Sequence, residues 1–231
     1  MQKSWACADP GAGQADPLAG PFARNKRLSV ITLQQEGDAV LDVIAAGHIC
    51  LDIIPQIEAE SLESGSFLTP GRITEVGAAV LSGGGSVSNT GLALDRLGAT
   101  VRLVGRVGDD PIGEITQRIL GARDSRLVEH VRIAAGEPSS YTIVLAPPGI
   151  DRTFLTSPGP NSSFGPEDVD ASLLADTRIF HLGYPPLLSK MYADGGSAMV
   201  ELMGRAHANG ATTSLDMSMP DPTRPGGQAD W

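Results

Sequence analysis

Three consecutive glycines, Gly83 to Gly85, are the first feature of the sequence that could support chemistry. They precede a segment with helical periodicity, so bare backbone and the unpaired N–H groups of a helix start would face the same space. Such a surface lets a ligand approach closely and suits hydroxyl groups or an anion. A tight strand-to-helix turn that binds no ligand is the alternative interpretation.

Two enzyme classes that use glycine-rich turns do not fit this run. A dinucleotide-binding fingerprint requires Gly-x-Gly-x-x-Gly, and Ser88 stands where its last glycine belongs. A nucleophile elbow requires a final glycine that permits its strained turn, and the run from Gly84 to Ser88 lacks one. The sequence therefore disfavours a nicotinamide-dependent dehydrogenase and a serine hydrolase.

Other residues with catalytic or metal-binding potential are better explained structurally. Asp110 precedes Pro111 and is predicted to cap a helix, which accounts for the Asp109 and Asp110 pair without a metal ion. The two cysteines, Cys7 and Cys50, have no disulfide or zinc spacing. The histidines are dispersed, at His48, His130, His181 and His207. We therefore expect no metal site and no catalytic histidine.

The elements that must position the glycine run alternate between strand and helix. A short apolar run bounded by turn residues predicts a strand over 40–46, and a valine-rich run predicts one over 101–107. The alternating series then continues with predicted strands over 178–182 and 212–215. Helical spacing predicts three apolar faces: Thr90, Ala93, Leu94 and Leu97; Ile112, Ile115 and Ile119; and Met199, Leu202, Met203 and Ala206. Segments 141–146 and 152–156 flank turn residues and predict a hairpin. The expected fold is α/β, a doubly wound and mostly parallel sheet with an added β element.

Composition limits the environment and the partners of the protein. The 231 residues suffice for one large α/β domain, and residues 1–40 are predicted to be a disordered leader and lead-in. A net charge of −10 would repel nucleic acid and an anionic membrane surface. No apolar stretch has the length of a membrane span, and we expect a cytoplasmic protein.

Taken together, the segments around the glycine run resemble the ribokinase-like carbohydrate kinase family. The resemblance rests on GHICLD at 47–52, GGGSVSN at 83–89, LGA at 97–99 and GRVGDDPIG at 105–113. It continues more weakly through SPGPN at 157–161, HLGY at 181–184 and LDMSMPDP at 215–222. It therefore covers about residues 41–231 and implies a sugar or nucleoside kinase.

The resemblance implies four substrate-binding residues. Asp52, at the end of the first strand, would accept hydrogen bonds from substrate hydroxyls, Gly84 and Gly85 would let the substrate lie close, and Asn89 would contact it. A carboxylate only accepts and a carboxamide both donates and accepts, so Asp52 with Asn89 could read neighbouring hydroxyls. Each residue alone could instead be a loop cap.

Three positions depart from the family pattern. Cys50 stands where the family often has asparagine, Val87 where it has a small residue, and Gly91 where it has Ser, Thr or Ala. A cysteine cannot hydrogen-bond a sugar as an asparagine does. The departures therefore concern the substrate class more than the fold.

The resemblance also implies a small β-sheet that closes over the substrate as a lid, from about 53–76 and 137–158. Closing it would keep water from the phosphoryl transfer, and a homodimer through the lid is possible. A purely structural hairpin is the competing interpretation.

The family's second motif, a Gly-Ala-Gly-Asp run that supplies the catalytic base and a phosphate cradle, does not follow residue 113. We expect the base to lie beyond Trp231, and this chain to be an incomplete N-terminal portion that transfers no phosphate by itself. ATP and Mg²⁺ are implied for the complete enzyme, with no nucleotide-binding residues assigned here. The alternative is a non-catalytic module that binds a small molecule or dimerises.

Overall fold

Strands and helices alternate along most of the chain in the computed structural model, which describes residues 41–58 and 70–231. The strands are β1 (Leu41–Gly47), β2 (Cys50–Pro55), β3 (Ala79–Gly84), β4 (Val101–Gly108), β5 (His130–Ala134), β6 (Tyr141–Leu145), β7 (Thr153–Ser157), β8 (Thr177–Gly183) and β9 (Thr212–Asp216). The α-helices are α1 (Gly85–Arg96), α2 (Pro111–Leu120), α3 (Ala171–Ala175), α4 (Ser189–Tyr192), α5 (Ser197–Ala208) and α6 (Pro225–Gln228). The predicted leader and part of the first predicted lid segment lie outside the described residues.

Five strands form the central sheet, in the order β5, β4, β1, β8, β9, and every neighbouring pair is parallel. The side chains of β1 alternate between two apolar clusters. Val43 and Ala45 join the cluster that includes residues of α1 and α2, while Ile44 and Ala46 join the cluster that includes residues of α5. A strand buried on both faces is a continuous apolar run, which is the pattern that predicted it. The doubly wound α/β fold is confirmed.

Four strands form a second sheet, in the order β3, β2, β6, β7. β2 is antiparallel to β3 and parallel to β6, and β6 is antiparallel to β7. The last pair is the predicted hairpin, which is confirmed. β2 follows β1 after only His48 and Ile49, and it was not predicted.

Helix α1 begins at Gly85, earlier than the helical spacing from Thr90 predicted. The glycine run is divided: Gly83 and Gly84 end β3, and Gly85 is the first helical residue, with φ of 83°. The predicted apolar face was also wrong, because Leu97 is 83% exposed. Val87 is buried against the sheet instead.

Gly91, one turn beyond Val87, explains how closely α1 packs. A Cβ atom at this position would lie 2.2 Å from Leu103 Cδ2 on β4. Because contacts that short do not occur, an alanine would require the Leu103 side chain or the helix to shift. The missing side chain therefore lets α1 pack closely on the sheet, a signal that apolar periodicity misses.

The predicted starts and ends of two other helices are confirmed. Asp110 Oδ1 accepts a 2.8 Å hydrogen bond from the Gly113 N–H at the start of α2, and Asp110 Oδ2 accepts one from the Ser139 N–H. Helix α5 ends at a C-cap, Asn209, followed by Gly210 with φ of 83°. Within the described ranges, no helix combines the length and apolarity that crossing a bilayer would require.

Candidate functional site

Asp52 lies on β2, in the second sheet, and not at the end of the first strand as the sequence analysis expected. In the ladder it stands opposite Ser82 of β3 and Thr142 of β6. Its carboxylate lies over Gly84, where a Cβ atom would be 2.1 Å from Asp52 Oδ1. Gly84 therefore makes room for the carboxylate of this protein, directly at the start of α1.

Burial of the half-buried Asp52 raises the pKa of its carboxyl, and a hydrogen bond from Cys50 Sγ to Oδ1, at 3.3 Å, acts in the opposite direction. Cys50 is itself buried and receives a 3.6 Å hydrogen bond from Thr142 Oγ1. Thr142 Oγ1 and Thr156 Oγ1 are 3.0 Å apart. A chain of side-chain hydrogen bonds thus crosses from β2 through β6 to β7 and ends on Asp52.

Gly85 makes room for His48 in the same way. A Cβ atom at Gly85 would lie 2.4 Å from the carbonyl oxygen of His48 and 2.6 Å from its Nδ1 atom. His48 Nδ1 is buried and has no hydrogen-bond partner among the described residues. Burial lowers the pKa of His48 to about 4, so the imidazole is neutral at physiological pH.

Tyr184 follows β8 directly and has a left-handed backbone, with φ of 58° and ψ of 50°. This conformation is uncommon for a residue other than glycine, asparagine or aspartate. Its N–H donates to the carbonyl oxygen of Asp216, and its ring lies 5.9 Å from the His48 ring. Burial raises the pKa of the Tyr184 hydroxyl, and the nearby Asn89 side chain acts in the opposite direction. The strained turn therefore places an aromatic wall and a hydroxyl beside the start of α1.

Asp216 ends β9 and lies opposite Gly183 of β8. Ser86 Oγ donates a 3.1 Å hydrogen bond to Asp216 Oδ2 and lies 3.3 Å from His181 Nε2. A Cβ atom at Gly183 would be 2.2 Å from Ser86 Cβ, so the absence of a side chain there lets the first turn of α1 reach β8. This small network fixes the position of the Asp216 carboxylate.

Ser86, His181 and Asp216 include the residue types of a hydrolase triad, but the arrangement is structural. Ser86 is 0% exposed, so no substrate carbonyl can reach its hydroxyl. Since that hydroxyl donates its only proton to Asp216, the bond between Ser86 and His181 requires a proton on His181 Nε2. His181 Nδ1 is then the acceptor for Ser214 Oγ, 3.1 Å away. Burial lowers the pKa of His181, and the Asp216 carboxylate acts in the opposite direction.

The four predicted site residues converge on one place. Asp52, Gly84, Gly85 and Asn89 surround the first two turns of α1, although Asn89 is an exposed helical residue and not part of a loop. Sequence reasoning missed Tyr184 and Asp216. Tyr184 follows β8, which flanks β1, and Asp216 ends β9, the next strand in the sheet. Ligands of open α/β sheets bind at the carboxyl ends of parallel strands, so strand order was the signal that could have found both residues.

The residues at this site do not fit a metal ion or a triphosphate. Among the described residues, no three acidic, histidine or cysteine side chains are grouped as metal ligands. The N–H groups at the start of α1 would attract phosphate, but the carboxylates of Asp52 and Asp216 stand beside them. The arrangement offers acceptors to hydroxyl groups.

Comparison with known proteins identifies a family and several relatives. The family profile described as "pfkB family carbohydrate kinase" matches residues 42–230. The chain is similar to a probable fructokinase-2 of Arabidopsis thaliana, with 25% identity over 186 residues that cover 79% of this chain and 52% of that protein. It is also similar to an ATP-dependent ribose-1-phosphate kinase of Halopiger xanaduensis, with 28% identity over 140 residues that cover 61% of this chain and 45% of that protein. The chain thus spans about half the length of the curated relatives it matches.

Solved structures show the same fold. A ribokinase of Arabidopsis thaliana complexed with ribose and ATP superposes with a TM-score of 0.62 at 18% identity, covering 78% of this chain and 54% of that one. A fructokinase of Xylella fastidiosa with bound ATP gives 0.60 at 23% identity, covering 80% and 56%. At these identities the likeness concerns architecture, including the second sheet.

Proposed function

This chain belongs to the pfkB family of carbohydrate kinases, and we propose that it forms the substrate-binding portion of an ATP-dependent kinase. The complete enzyme would transfer the γ-phosphate of ATP to a hydroxyl group of a sugar or nucleoside. The observation that carries the proposal is the convergence of Asp52, Asn89, Tyr184 and Asp216 on the start of α1. Asp52 comes from the second sheet, Asn89 from α1, and Tyr184 and Asp216 from the ends of β8 and β9 in the central sheet.

The chemistry of the convergent groups suits a hydroxylated ligand. Asp52 accepts hydrogen bonds, and Asn89 and Tyr184 can both donate and accept. Gly84 and Gly85 present main chain without side chains beside them. Charge-assisted hydrogen bonds from substrate hydroxyls to Asp52 would contribute most of the orientation.

The second sheet would act as the lid. Strands β6 and β7 lie within the predicted lid segment of about 137–158, β2 overlaps the segment of about 53–76 only at its end, and β3 lies outside both. Support comes from Asp52, which β2 carries into the site, and from the exposed side chains of β7 on the far edge. Closing this sheet would exclude water while phosphate is transferred.

Phosphate transfer itself is assigned to residues outside this sequence. The 231 residues contain no Gly-Ala-Gly-Asp run to supply the base, so we expect this chain to bind substrate without turnover. ATP and Mg²⁺ belong to the complete enzyme, as the ATP complexes of the similar fructokinase and ribokinase suggest for ATP. A cytoplasmic location, where ATP is available, is part of the proposal, and the net charge of −10 argues against nucleic acid as a partner.

Equilibrium binding tests the proposal on this chain. Titration calorimetry with fructose, ribose and adenosine should detect at least one ligand. Asp52→Asn should weaken its binding about ten- to a hundredfold, since a hydrogen bond to a charged group contributes about 1.5–3 kcal/mol. Asn89→Ala should weaken it about two- to tenfold, since a neutral hydrogen bond contributes about 0.5–1.5 kcal/mol. Asp176→Asn is the matched control. Asp176 is exposed and lies just before β8, at the amino ends of the strands and away from the site. Unchanged affinity in both site variants would remove these residues from the site.

A second candidate function is a dimerising module, because the second sheet exposes apolar side chains. Leu81 and Leu155 are about half exposed and lie in one cross-strand row with Ile53 and Ile143. A concentration-dependent dimer in analytical ultracentrifugation, dispersed by Leu155→Asp in a chain that binds no sugar, would favour this alternative.

A further inference from the structure

Both ends of helix α5 carry a pair of residues that can rearrange covalently. Asp194 and Gly195 lie just before the helix, and Asn209 and Gly210 directly follow it. In each pair the glycine has no side chain to hinder its main-chain nitrogen, which can attack the side-chain carbonyl carbon of the preceding residue. The sequence has no other Asp-Gly or Asn-Gly pair, so the surroundings of these two decide where such a reaction occurs.

The Asp194 side chain is exposed and unrestrained. In the part of the chain that the structure describes, its carboxylate forms neither a hydrogen bond nor an ion pair. Little packs around the next two residues: a Cβ atom on Gly195 would have no neighbour within 4 Å, and one on Gly196 would meet only the Met191 carbonyl oxygen, at 3.7 Å. This link between α4 and α5 can therefore change conformation without disturbing the core.

The backbone of the link is also strained at Asp194. Asp194, Gly195 and Gly196 have φ of 49°, 66° and 80°, three left-handed residues in succession. Glycine adopts this region freely, whereas the Cβ atom of an aspartate crowds the following carbonyl oxygen there. Leaving the left-handed region relieves this crowding, which favours the backbone rotation that brings the Gly195 nitrogen to the Asp194 carboxyl carbon.

Asn209, at the other end of α5, is held by hydrogen bonds at both reacting groups. Its Nδ2 atom donates to the Arg205 carbonyl oxygen at 2.8 Å, and the Gly210 N–H donates to the His207 carbonyl oxygen at 2.9 Å. Attack at Asn209 would have to break both bonds. Asparagine is the more labile residue in an unfolded chain, because its amide releases ammonia more readily than a carboxyl group releases water. The fold thus protects the intrinsically faster pair and leaves the slower pair free to react.

We propose that Asp194 is a site of spontaneous isomerisation to isoaspartate, and that folding protects Asn209 from the corresponding deamidation. The main-chain nitrogen of Gly195 forms a bond to Cγ of Asp194, and one carboxylate oxygen leaves as water with the amide proton and a proton from solvent. The product is a five-membered succinimide ring.

Water then opens the ring. Adding water at Cγ and breaking its bond to nitrogen restores aspartate. Adding water at the former main-chain carbonyl carbon and breaking that bond to nitrogen leaves the chain running through Cβ and Cγ of residue 194, with a free carboxylate beside them. The link before α5 is then longer by one carbon atom, and the reaction uses no oxidant or cofactor.

Peptide mapping of the aged full chain tests the proposal. The chain is incubated at physiological pH and temperature, folded or in urea, and then digested with trypsin, which places Asp194 and Asn209 in separate peptides, 191–205 and 206–231. Chromatography and electron-transfer fragmentation identify isoaspartate in each. We expect it at Asp194 in the folded chain while Asn209 stays intact, and we expect Asn209 to react faster in urea.

Asp194→Asn makes the comparison chemically exact, because both ends of α5 then carry the same dipeptide. We expect position 194 of this variant to deamidate at least about tenfold faster than Asn209 in the folded chain and at a similar rate in urea, since Asn209 reacts only after local opening. Asp194→Glu is the control, because its longer side chain cannot close the five-membered ring, and it should give no isoaspartate at that position. Deamidation of Asn209 as fast as at position 194 in the folded variant, or no product at position 194 while the chain is folded, would overturn the proposal.

Discussion

The two sheets differ in what holds them together. Strand β1 of the central sheet is buried on both faces, and Ile44, Ala45 and Ala46 have no exposed surface. Strand β7 at the edge of the second sheet is mostly exposed, including Phe154 and Leu155. The central sheet is thus fixed by its core, while the second sheet has little burial to fix it and much of the polar chemistry of the site.

Short connections join the two sheets at the candidate site. β1 leads to β2 through His48 and Ile49, and β3 runs into α1 without an intervening residue. Ile49 is clamped by the buried Asn161, which accepts from its N–H at 3.0 Å and donates to its carbonyl oxygen at 2.9 Å. Because Asn161 holds the junction in place, the exposed second sheet positions Asp52 beside the start of α1.

A matched pair of leucine truncations tests the contrast with the largest expected effect. Leu103, on β4, is 0% exposed and Leu155, on β7, is 50% exposed. Leu103→Ala should lower the free energy of unfolding by about 3–5 kcal/mol, because it leaves a cavity in the core. Leu155→Ala should cost less than about 1 kcal/mol. Urea denaturation measures both, and similar losses would contradict the division between the sheets.

Acid should destabilise the folded chain, because His48, between β1 and β2, is buried as a neutral imidazole. The unfolded pKa is about 6.5 and the folded pKa about 4, so below pH 6.5 the unfolded chain binds a proton that the folded chain does not. Stability contributed by the neutral imidazole is therefore lost as pH falls from 6.5 towards 4. One pKa unit corresponds to about 1.4 kcal/mol, which gives a loss of about 2 kcal/mol at pH 5.

Urea denaturation of wild type and His48→Gln at pH 7 and pH 5 measures this loss. Between pH 7 and pH 5, the variant should lose about 2 kcal/mol less unfolding free energy than wild type. His181 contributes in the same direction and the raised pKa of Asp52 in the opposite one, so the difference between the proteins is the informative quantity. His207→Gln, at an exposed position of α5, is the control. Equal acid sensitivity in wild type and His48→Gln would show that His48 is not the cause.

The central sheet was more predictable from sequence than the second. Strands β1, β4 and β8 contain short apolar runs and are largely buried, as expected for strands with both faces covered. The edge strand β9 was predicted although it is mostly exposed. The other edge strand, β5, was missed, and only Val131 and Ala134 of its residues are buried. In the second sheet only the hairpin had turn residues to reveal it. The register of β2 against β3 and β6 depends on long-range pairing that no local pattern encodes.

The candidate site was predicted through family resemblance, and only for residues within its motifs. Asp52 and Asn89 were proposed in this way, and the structure places both near the start of α1. Tyr184 and Asp216 follow strands from the second half of the chain, and their proximity depends on strand order. The environment of Gly84 was unexpected, since the close approach there is made by Asp52 itself.

The smallest expected effect concerns what holds the second sheet where burial does not. Thr142 Oγ1 and Thr156 Oγ1 lie 3.0 Å apart on neighbouring strands, and the same Thr142 hydroxyl contacts Cys50 beside Asp52. Thr142→Val and Thr156→Val keep the shape of each side chain and remove its hydroxyl. A cross-strand threonine pair contributes about 0.2–1 kcal/mol, so a double-mutant cycle of unfolding free energies should give a coupling energy in that range.

Thr142→Val alone should cost about 1 kcal/mol of unfolding free energy, since Thr142 is buried. It should also weaken sugar binding slightly, because Cys50 would be held less firmly against Asp52. The pair Thr153→Val and Thr142→Val, which are not opposite each other in the register, is the control cycle and should be additive. If the Thr142 and Thr156 changes are also additive, the hydroxyl pair adds nothing to the backbone ladder and packing that join β6 to β7.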